Sequence, residues 1–474
     1  MTATRFHPGG RLSVQALVSA TGATVGGGSS EDSWTLCTDS REMRDGAVFV
    51  AIRGESFDGH RFVDEVLASW RAGALVEELP SSAATAQGPV LKVDDSLVAF
   101  GAAAGAFLQE QAPPVAAVTG SVGKTTTRAM LAAILSEMGP GLCTEGNFNN
   151  RVGLPLTLLG LRPEHGWVVL EMGMSEPGEI RALTSIADPK VRVITTVNAG
   201  HLAFFDSVEG IADAKGELFE AAGSGNTLIQ PAGEWFSDRL PSPRGAEKVT
   251  FSSRPGVAAD LFLLEWTPRG LSGSTARVSL AGTECVLELP VAGRHQVDNA
   301  LAAAGAALAM GASVSQVTEG LAGVQIPGRR MRVEQVGAFT VVDDAYNANP
   351  ASVEAALQTL GSLAGEGRRV AVLGDMLELG GSGADLHAEA GRQAAAQGID
   401  FLVGSGPLMA HAVSAARSQG VEAVAVSDSV AAGLLLKEYL EPGDTVLFKG
   451  SRGMQMERAL EAIRPPSPHE KAES

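Results

Sequence analysis

Seven consecutive residues carry the plainest chemical signal in this chain: Gly120, Ser121, Val122, Gly123, Lys124, Thr125 and Thr126. The glycines let backbone N–H groups come close to phosphate oxygens, and a helix beginning there adds the positive end of its dipole. Lys124 can then reach the outer phosphates, and the Thr125 hydroxyl can ligate Mg²⁺. Val118 stands where the commonest form of the motif has its first glycine, so the loop is a shortened variant. An apolar strand from Val115 precedes it and a helix-forming stretch, Arg128 to Glu137, follows. Strand, turn and helix in that order predict a site for a nucleoside triphosphate with Mg²⁺.

A phosphate loop names a donor and leaves the acceptor open, so the other polar clusters matter. The apolar run Trp167 to Leu170 delivers Glu171 at its end, where a carboxylate suits Mg²⁺ bound to phosphates. The run Val191 to Val197 similarly leads to His201. Lys215 lies in a helical segment, where a solvated side chain is the plain reading. Asn147, Asn149 and Asn150 crowd a loop bracketed by Gly146 and Gly153; they suit either turns or contacts to ligand carboxylates and amides. Asn299 opens an Ala-rich helix, where it can cap the helix or read an adenine edge. Arg329, Arg330 and Arg332 form a basic cluster, and an arginine at a domain boundary can close on a triphosphate. Asp344, Tyr346 and Asn349 follow a strand and precede a helix.

These residues need a scaffold that brings strand ends together. Short strands are expected at Ala47 to Ile52, Ala74 to Val76 and Val90 to Val93, then beyond the Ala112-Pro113-Pro114 linker at Trp167 to Glu171 and Val191 to Val197. Pro241 to Pro255 reads as a Pro/Ser/Gly/Arg-rich connection into a β-rich stretch ending near Val291. After Ile326-Pro327-Gly328, strands at Thr340 to Asp344, Arg369 to Gly374, Phe401 to Gly404, Ala423 to Val426 and Thr445 to Lys449 alternate with helices, the pattern of a doubly wound domain.

Length and composition set the outer limits. The 474 residues suffice for roughly two to four domains. With 45% hydrophobic and only 5% aromatic residues, the cores must be built mainly of Ala, Val and Leu. A net charge of −18 argues against a nucleic-acid surface, so an anionic substrate must be met by local basic groups. Cys37, Cys143 and Cys285 are too few for a disulfide framework or zinc site, and no apolar run reaches membrane-spanning length. A cytoplasmic protein without membrane insertion is expected.

Taken together, these stretches resemble the Mur ligase family, the ATP-dependent amide-forming ligases of peptidoglycan precursor synthesis, in which the shortened loop is the rule. The resemblance implies Lys124 on the phosphates, Thr125 and Glu171 on one Mg²⁺, and His201 on a second. Lys215 matches a lysine that the family carries as a carbamate, which would help hold the second Mg²⁺. Asn299, Arg330 and Asp344 match adenine, phosphate and ribose contacts, while Gln296 stands where the family often has Asn. The catalytic set implied is Lys124, His201, Lys215 and Arg330.

Within the family, Asp343 to Pro350, Val372 to Gly380, Lys449 to Arg452 and the Asn147 to Pro155 loop are similar to the branch that joins D-alanyl-D-alanine to UDP-N-acetylmuramoyl-tripeptide. The Asp-Asn-Pro-Arg signature typical of the diamino-acid-adding branch is absent from the sequence. Thr38 to Arg41, Phe49 to Ala51 and Gly54 to His60 are similar to the uridine-nucleotide domain that both branches share, making Ser40 and Arg41 substrate candidates. Asn147, Asn149, Asn150, Tyr346 and Asn349 join them, with Lys449 or Arg452 proposed for the dipeptide carboxylate. The implied fold is α/β in three domains: a small mixed domain over residues 1–111 for the UDP substrate, a central P-loop-type parallel-sheet ATPase domain over 112–326, and a Rossmann-like domain over 327–464. A disordered tail is expected over 465–474, and the whole is expected to act as a monomer. Other amide ligases of the superfamily, diamino-acid-adding or folylpolyglutamate synthase-like, and a P-loop ATPase switch are the alternatives.

Overall fold

A computed structural model describes residues 9–28, 33–54, 57–199, 205, 207–363 and 367–464. Among these residues the strands form three sheets, each flanked by helices. The first is six-stranded, in the order Leu12–Ser13, Ser33–Cys37, Ala47–Val50, Gly73–Val76, Val90–Lys92 and Thr24–Gly27. Its four inner strands run parallel and the outer two antiparallel. The parallel strands aim their carboxyl ends at one edge, where the Ser40–Glu42 turn and the Gly59–Phe62 turn lie.

The helix Ser96–Gln111 links this domain to the next. Asp95 caps it by accepting from the Leu97 and Val98 N–H groups. Its small residues allow close packing on the helix Glu179–Ala187: a Cβ on Gly105 would lie 2.8 Å from the Ile186 carbonyl oxygen. One apolar cluster runs through both domains, from Trp34 and Leu75 to Leu158 and Leu183.

The central sheet has nine strands, in the order Thr283–Leu289, Ser274–Leu280, Leu261–Pro268, Glu247–Ser252, Thr227–Pro231, Val191–Ile194, Val115–Thr119, Val168–Glu171 and Leu142–Cys143. The last seven are parallel and the first two close as antiparallel hairpins. Val115–Thr119 is buried along its whole length because strands flank it and helices cover both faces, which its unbroken apolar run anticipates. Aligned register places Val118 beside Glu171 and Thr119 beside Ile194, so three strand ends share one edge of the sheet.

The C-terminal sheet runs Arg332–Val336, Phe339–Asp344, Thr445–Lys449, Arg369–Gly374, Phe401–Ser405 and Glu422–Val426. All pairs but the first are parallel, and Asp344 pairs in register with Lys449.

Two differences from the sequence expectation have a clear local cause. The helix after the phosphate loop spans Lys124–Ser136, beginning four residues before Arg128 (128 − 124), because Gly123 at φ 89° turns the chain directly into it. Within the Pro241 to Pro255 connection, Glu247–Ser252 is a strand, paired in parallel with Thr227–Pro231. Sheet pairing overrides the turn-like composition there. The expected tail, residues 465–474, lies outside the described residues.

Candidate active site

A cleft of about 450 Å³ opens between the central and C-terminal sheets. On the central side lies the phosphate loop. Gly120 has φ 149°, and a Cβ there would sit 2.0 Å from Thr195 Oγ1; a Cβ on Gly123 would sit 2.3 Å from Asn299 Oδ1. Only glycine fits these two positions. Gly123 is the N-cap of its helix with no side-chain cap, so the first helical N–H groups remain available to an anion. Thr195 Oγ1 donates to the Val122 carbonyl at 2.6 Å and helps hold the loop.

Lys124 Nζ donates to the Gly120 carbonyl at 2.7 Å, folding back over its own loop. Burial holds its pKa below the ordinary lysine value; Glu171 opposes that and Arg330 adds to it. Thr125 Oγ1 donates to Glu171 Oε2 at 2.8 Å, and Asn149 Nδ2 donates to Oε1 at 3.0 Å. Thr125 and Glu171 are both buried. A hydroxyl and a carboxylate are hard oxygen donors suited to Mg²⁺. Among the described residues no three His, Cys, Asp or Glu side chains converge on one point, so protein atoms alone form no cage. Mg²⁺ commonly takes one or two protein oxygens and completes its shell with phosphates and water, which fits this pair.

Lys215, from the helix Val208–Glu220, is 3% exposed and lines the same cleft. Its pKa falls well below the ordinary value, first by burial and then by the like charge of Lys124. Asn299 is buried; its Oδ1 accepts from Thr127 at 3.3 Å and its Nδ2 donates to Gln296 at 2.9 Å. Both ends of the carboxamide are therefore engaged beside the phosphate loop.

The C-terminal domain supplies the opposite wall. The Arg330 guanidinium stacks 3.8 Å over the Tyr346 ring, a cation–π pair that aims the fork into the cleft. Asp344 Oδ1 accepts from the Met331 N–H at 3.2 Å, and Oδ2 accepts from Lys449 Nζ at 2.6 Å. Lys449 also donates to the Asn347 carbonyl at 2.9 Å. His295, from the central domain, faces this pair across the domain boundary. Burial pushes its pKa down to about 4; Asp344 opposes the shift and Lys449 adds to it.

Of the residues singled out from sequence, the cleft gathers Ser121, Val122, Gly123, Lys124, Thr125 and Thr126, with Asn149, Asn150, Glu171, Lys215 and Asn299. Arg330, Asp344, Tyr346, Asn349 and Lys449 join them from across the boundary. The surroundings of the individual residues differ. Arg452 stays out of the cleft, largely exposed and paired with Glu457 at 2.7 Å, because the chain has already left the strand in a 3₁₀ turn. Lys449 is already neutralised by Asp344. Asn147 is exposed, and Asn150 Oδ1 accepts from Val152 and Gly153 N–H groups, so it supports the turn into the helix Gly153–Leu158. Asn349 caps the helix Pro350–Gly361 reciprocally with Ser352. Ser40 and Arg41 sit in the N-terminal domain, where Arg41 pairs with Asp39 at 2.6 Å. His201 lies outside the described residues.

Two residues escaped sequence reading. Arg128, at 4% exposure, stands behind Glu171, and His295 meets the Asp344–Lys449 pair. The one available signal for Arg128 was its place a helical turn after Lys124.

The chain is similar to known proteins over most of its length. Residues 35–134 match the description Mur ligase family, catalytic domain; 118–307 match Mur ligase middle domain; and 328–452 match Mur ligase, glutamate ligase domain. The UDP-N-acetylmuramoyl-tripeptide--D-alanyl-D-alanine ligase of Escherichia coli (strain K12) is 36% identical over 90% of this chain and 93% of its own. That of Bacillus subtilis (strain 168) is 35% identical over 90% and 92%. The crystal structure of MurF from Acinetobacter baumannii superposes with a TM-score of 0.87 at 32% identity, covering 96% of this chain and 99% of that one. MurF from Thermotoga maritima in complex with ADP gives 0.79 at 28%, covering 91% and 97%.

Proposed function

The chain belongs to the Mur ligase family of ATP-dependent, amide-forming ligases, and we propose that it joins D-alanyl-D-alanine to the tripeptide of UDP-N-acetylmuramoyl-tripeptide in peptidoglycan synthesis. One observation carries this reading. A phosphate loop with Thr125 and Glu171 on one wall faces Arg330, Asp344 and Tyr346 on the other, as a two-substrate phosphoryl transfer followed by acyl transfer requires.

The terminal carboxylate of the tripeptide attacks the γ-phosphorus of ATP and ADP departs, leaving an acyl phosphate. The dipeptide amine then attacks the acyl carbon, loses a proton and expels phosphate, forming the amide. The chain's residues position these groups and neutralise phosphoryl charge. The uncapped helix start and Lys124 would bind the phosphates, Thr125 and Glu171 would hold the metal, and Arg330 would meet the triphosphate from the C-terminal domain. Mg²⁺, when bound, draws charge from the phosphate oxygens. Asn299 and Asp344 are our candidates for adenine and ribose, Ser40 and Arg41 for UDP, and His201 for a second Mg²⁺.

Lys215 as a carbamate belongs to the same proposal. Burial and the neighbouring Lys124 favour the neutral amine, which is the form that adds CO₂. The resulting anion would turn a repulsion with Lys124 into an attraction and add an oxygen ligand. We place the reaction in the cytoplasm and assign it to a monomer. The domain limits 1–111, 112–326 and 327–464 are offered as working boundaries.

The test is phosphate release from ATP with UDP-N-acetylmuramoyl-tripeptide and a panel of amines. D-Alanyl-D-alanine should stimulate release far above L-lysine, diaminopimelate or glutamate. Release no greater than background with the dipeptide refutes the assignment.

A further inference from the structure

Behind the metal-binding pair lies a buried cation that the reaction does not call for. Arg128 and Glu171 both have side chains 5% exposed, with Nε 3.7 Å from Oε2. That distance is an ion pair without a hydrogen bond. Arg128 Nε is buried and finds no acceptor among the described residues. The same Oε2 accepts from Thr125, and Oε1 is taken by Asn149. Glu171 is the one acid that Arg128 pairs with among the described residues, and Glu171 is also the carboxylate read above as a ligand of Mg²⁺.

A buried carboxylate needs a cation nearby, and one that must receive a divalent ion cannot already be saturated by a close bidentate partner. The long Arg128–Glu171 separation satisfies both conditions. The guanidinium lies near enough to compensate the charge, yet it leaves the oxygens to Thr125, Asn149 and a metal.

We propose that Arg128 is a positioning residue that serves as a standing counter-ion of Glu171, weakening Mg²⁺ binding so that the ion exchanges with each nucleotide. This rests on the reading of Thr125 and Glu171 as Mg²⁺ ligands. Removing the guanidinium withdraws a positive charge that opposes the metal, so Arg128→Met should bind Mg²⁺ about tenfold more tightly. It should also be less stable without Mg²⁺, because Glu171 then keeps only Lys124 of its two neighbouring cations. Arg128→Lys keeps a charge and should stay near wild type.

The experiment titrates the full-length protein with MgCl₂, reading thermal denaturation and isothermal calorimetry, with and without a non-hydrolysable ATP analogue. The expected result is a larger Mg²⁺-dependent rise in melting temperature for Arg128→Met than for wild type, with about tenfold tighter binding. An equal rise in both proteins overturns the proposal and leaves Arg128 a packing residue. No Mg²⁺ response in the wild type overturns instead the metal reading beneath it. Should Arg128→Met not fold, the pair Glu171→Gln and Arg128→Met/Glu171→Gln decides: the proposal requires that the double variant be more stable than Glu171→Gln alone. A double variant as unstable as Arg128→Met shows that Arg128 acts independently of Glu171.

Discussion

Replacing Gly123 with alanine tests the phosphate cradle most directly. Gly123 has φ 89°, and the added Cβ would lie 2.3 Å from Asn299 Oδ1 and 3.3 Å from its Cγ. A left-handed backbone costs a non-glycine residue roughly 1–2 kcal/mol. Moving the Asn299 carboxamide away disturbs its bonds to Thr127 and Gln296, each contributing about 0.5–1.5 kcal/mol. In the free protein the loop can relax to relieve the contact, whereas phosphate binding must restore the original turn. The cost therefore falls on binding, at about 2–4 kcal/mol, which lowers ATP affinity on the order of a hundredfold. Gly146→Ala is the control: φ is 54°, and no atom lies within 4 Å of its Cβ. That variant carries the backbone strain without the clash. Calorimetry with a non-hydrolysable ATP analogue and Mg²⁺ should show the loss in Gly123→Ala alone. Wild-type affinity in Gly123→Ala refutes the cradle and the roles built on it.

Other perturbations probe the cleft's remaining walls. His295 has a folded pKa of about 4 against an ordinary 6.5, so its stabilising contribution is complete above 6.5 and is lost as pH falls from there toward 4. Melting curves between pH 7 and 5 should steepen this loss in wild type relative to His295→Asn; identical slopes would contradict it. Arg330→Ala removes both the charge and the stack on Tyr346, and should lower kcat about a hundredfold or more. Arg330→Lys should recover little of that loss, because an ammonium has no planar fork; full recovery would show that charge alone suffices. Lys215→Ala should be inactive and regain turnover with short carboxylic acids, while an unrescued but fully active variant excludes the carbamate. Gly105→Ala would press a methyl group 2.8 Å from the Ile186 carbonyl oxygen, and should destabilise by about 1–3 kcal/mol in chemical denaturation. An unchanged midpoint would mean that the two domains are not tightly apposed there.

Local chemistry was legible in the amino-acid order because it depends on near neighbours. A parallel-sheet strand buried on both faces must be an unbroken apolar run, and Val115–Thr119 and Arg369–Gly374 read correctly for that reason. The phosphate loop likewise declares itself, since positive φ demands glycine and the lysine and threonine must follow at once. Asp344 and Glu171 were visible as strand-end carboxylates.

What the order of residues could not decide was which polar groups meet and which are already occupied. Asn147, Asn149 and Asn150 are chemically alike, yet only Asn149 reaches Glu171, because its amide faces the cleft while Asn150 is turned to the helix start. Lys449 and Arg452 looked interchangeable until the strand register set one beside Asp344 and the following turn carried the other to the surface. Arg128 reads as an ordinary helix cation, and only the packing of its helix against the Val168–Glu171 strand buries it behind a carboxylate. Burial and pairing arise from contacts between residues distant in the chain, and those contacts exist only once the sheets are assembled.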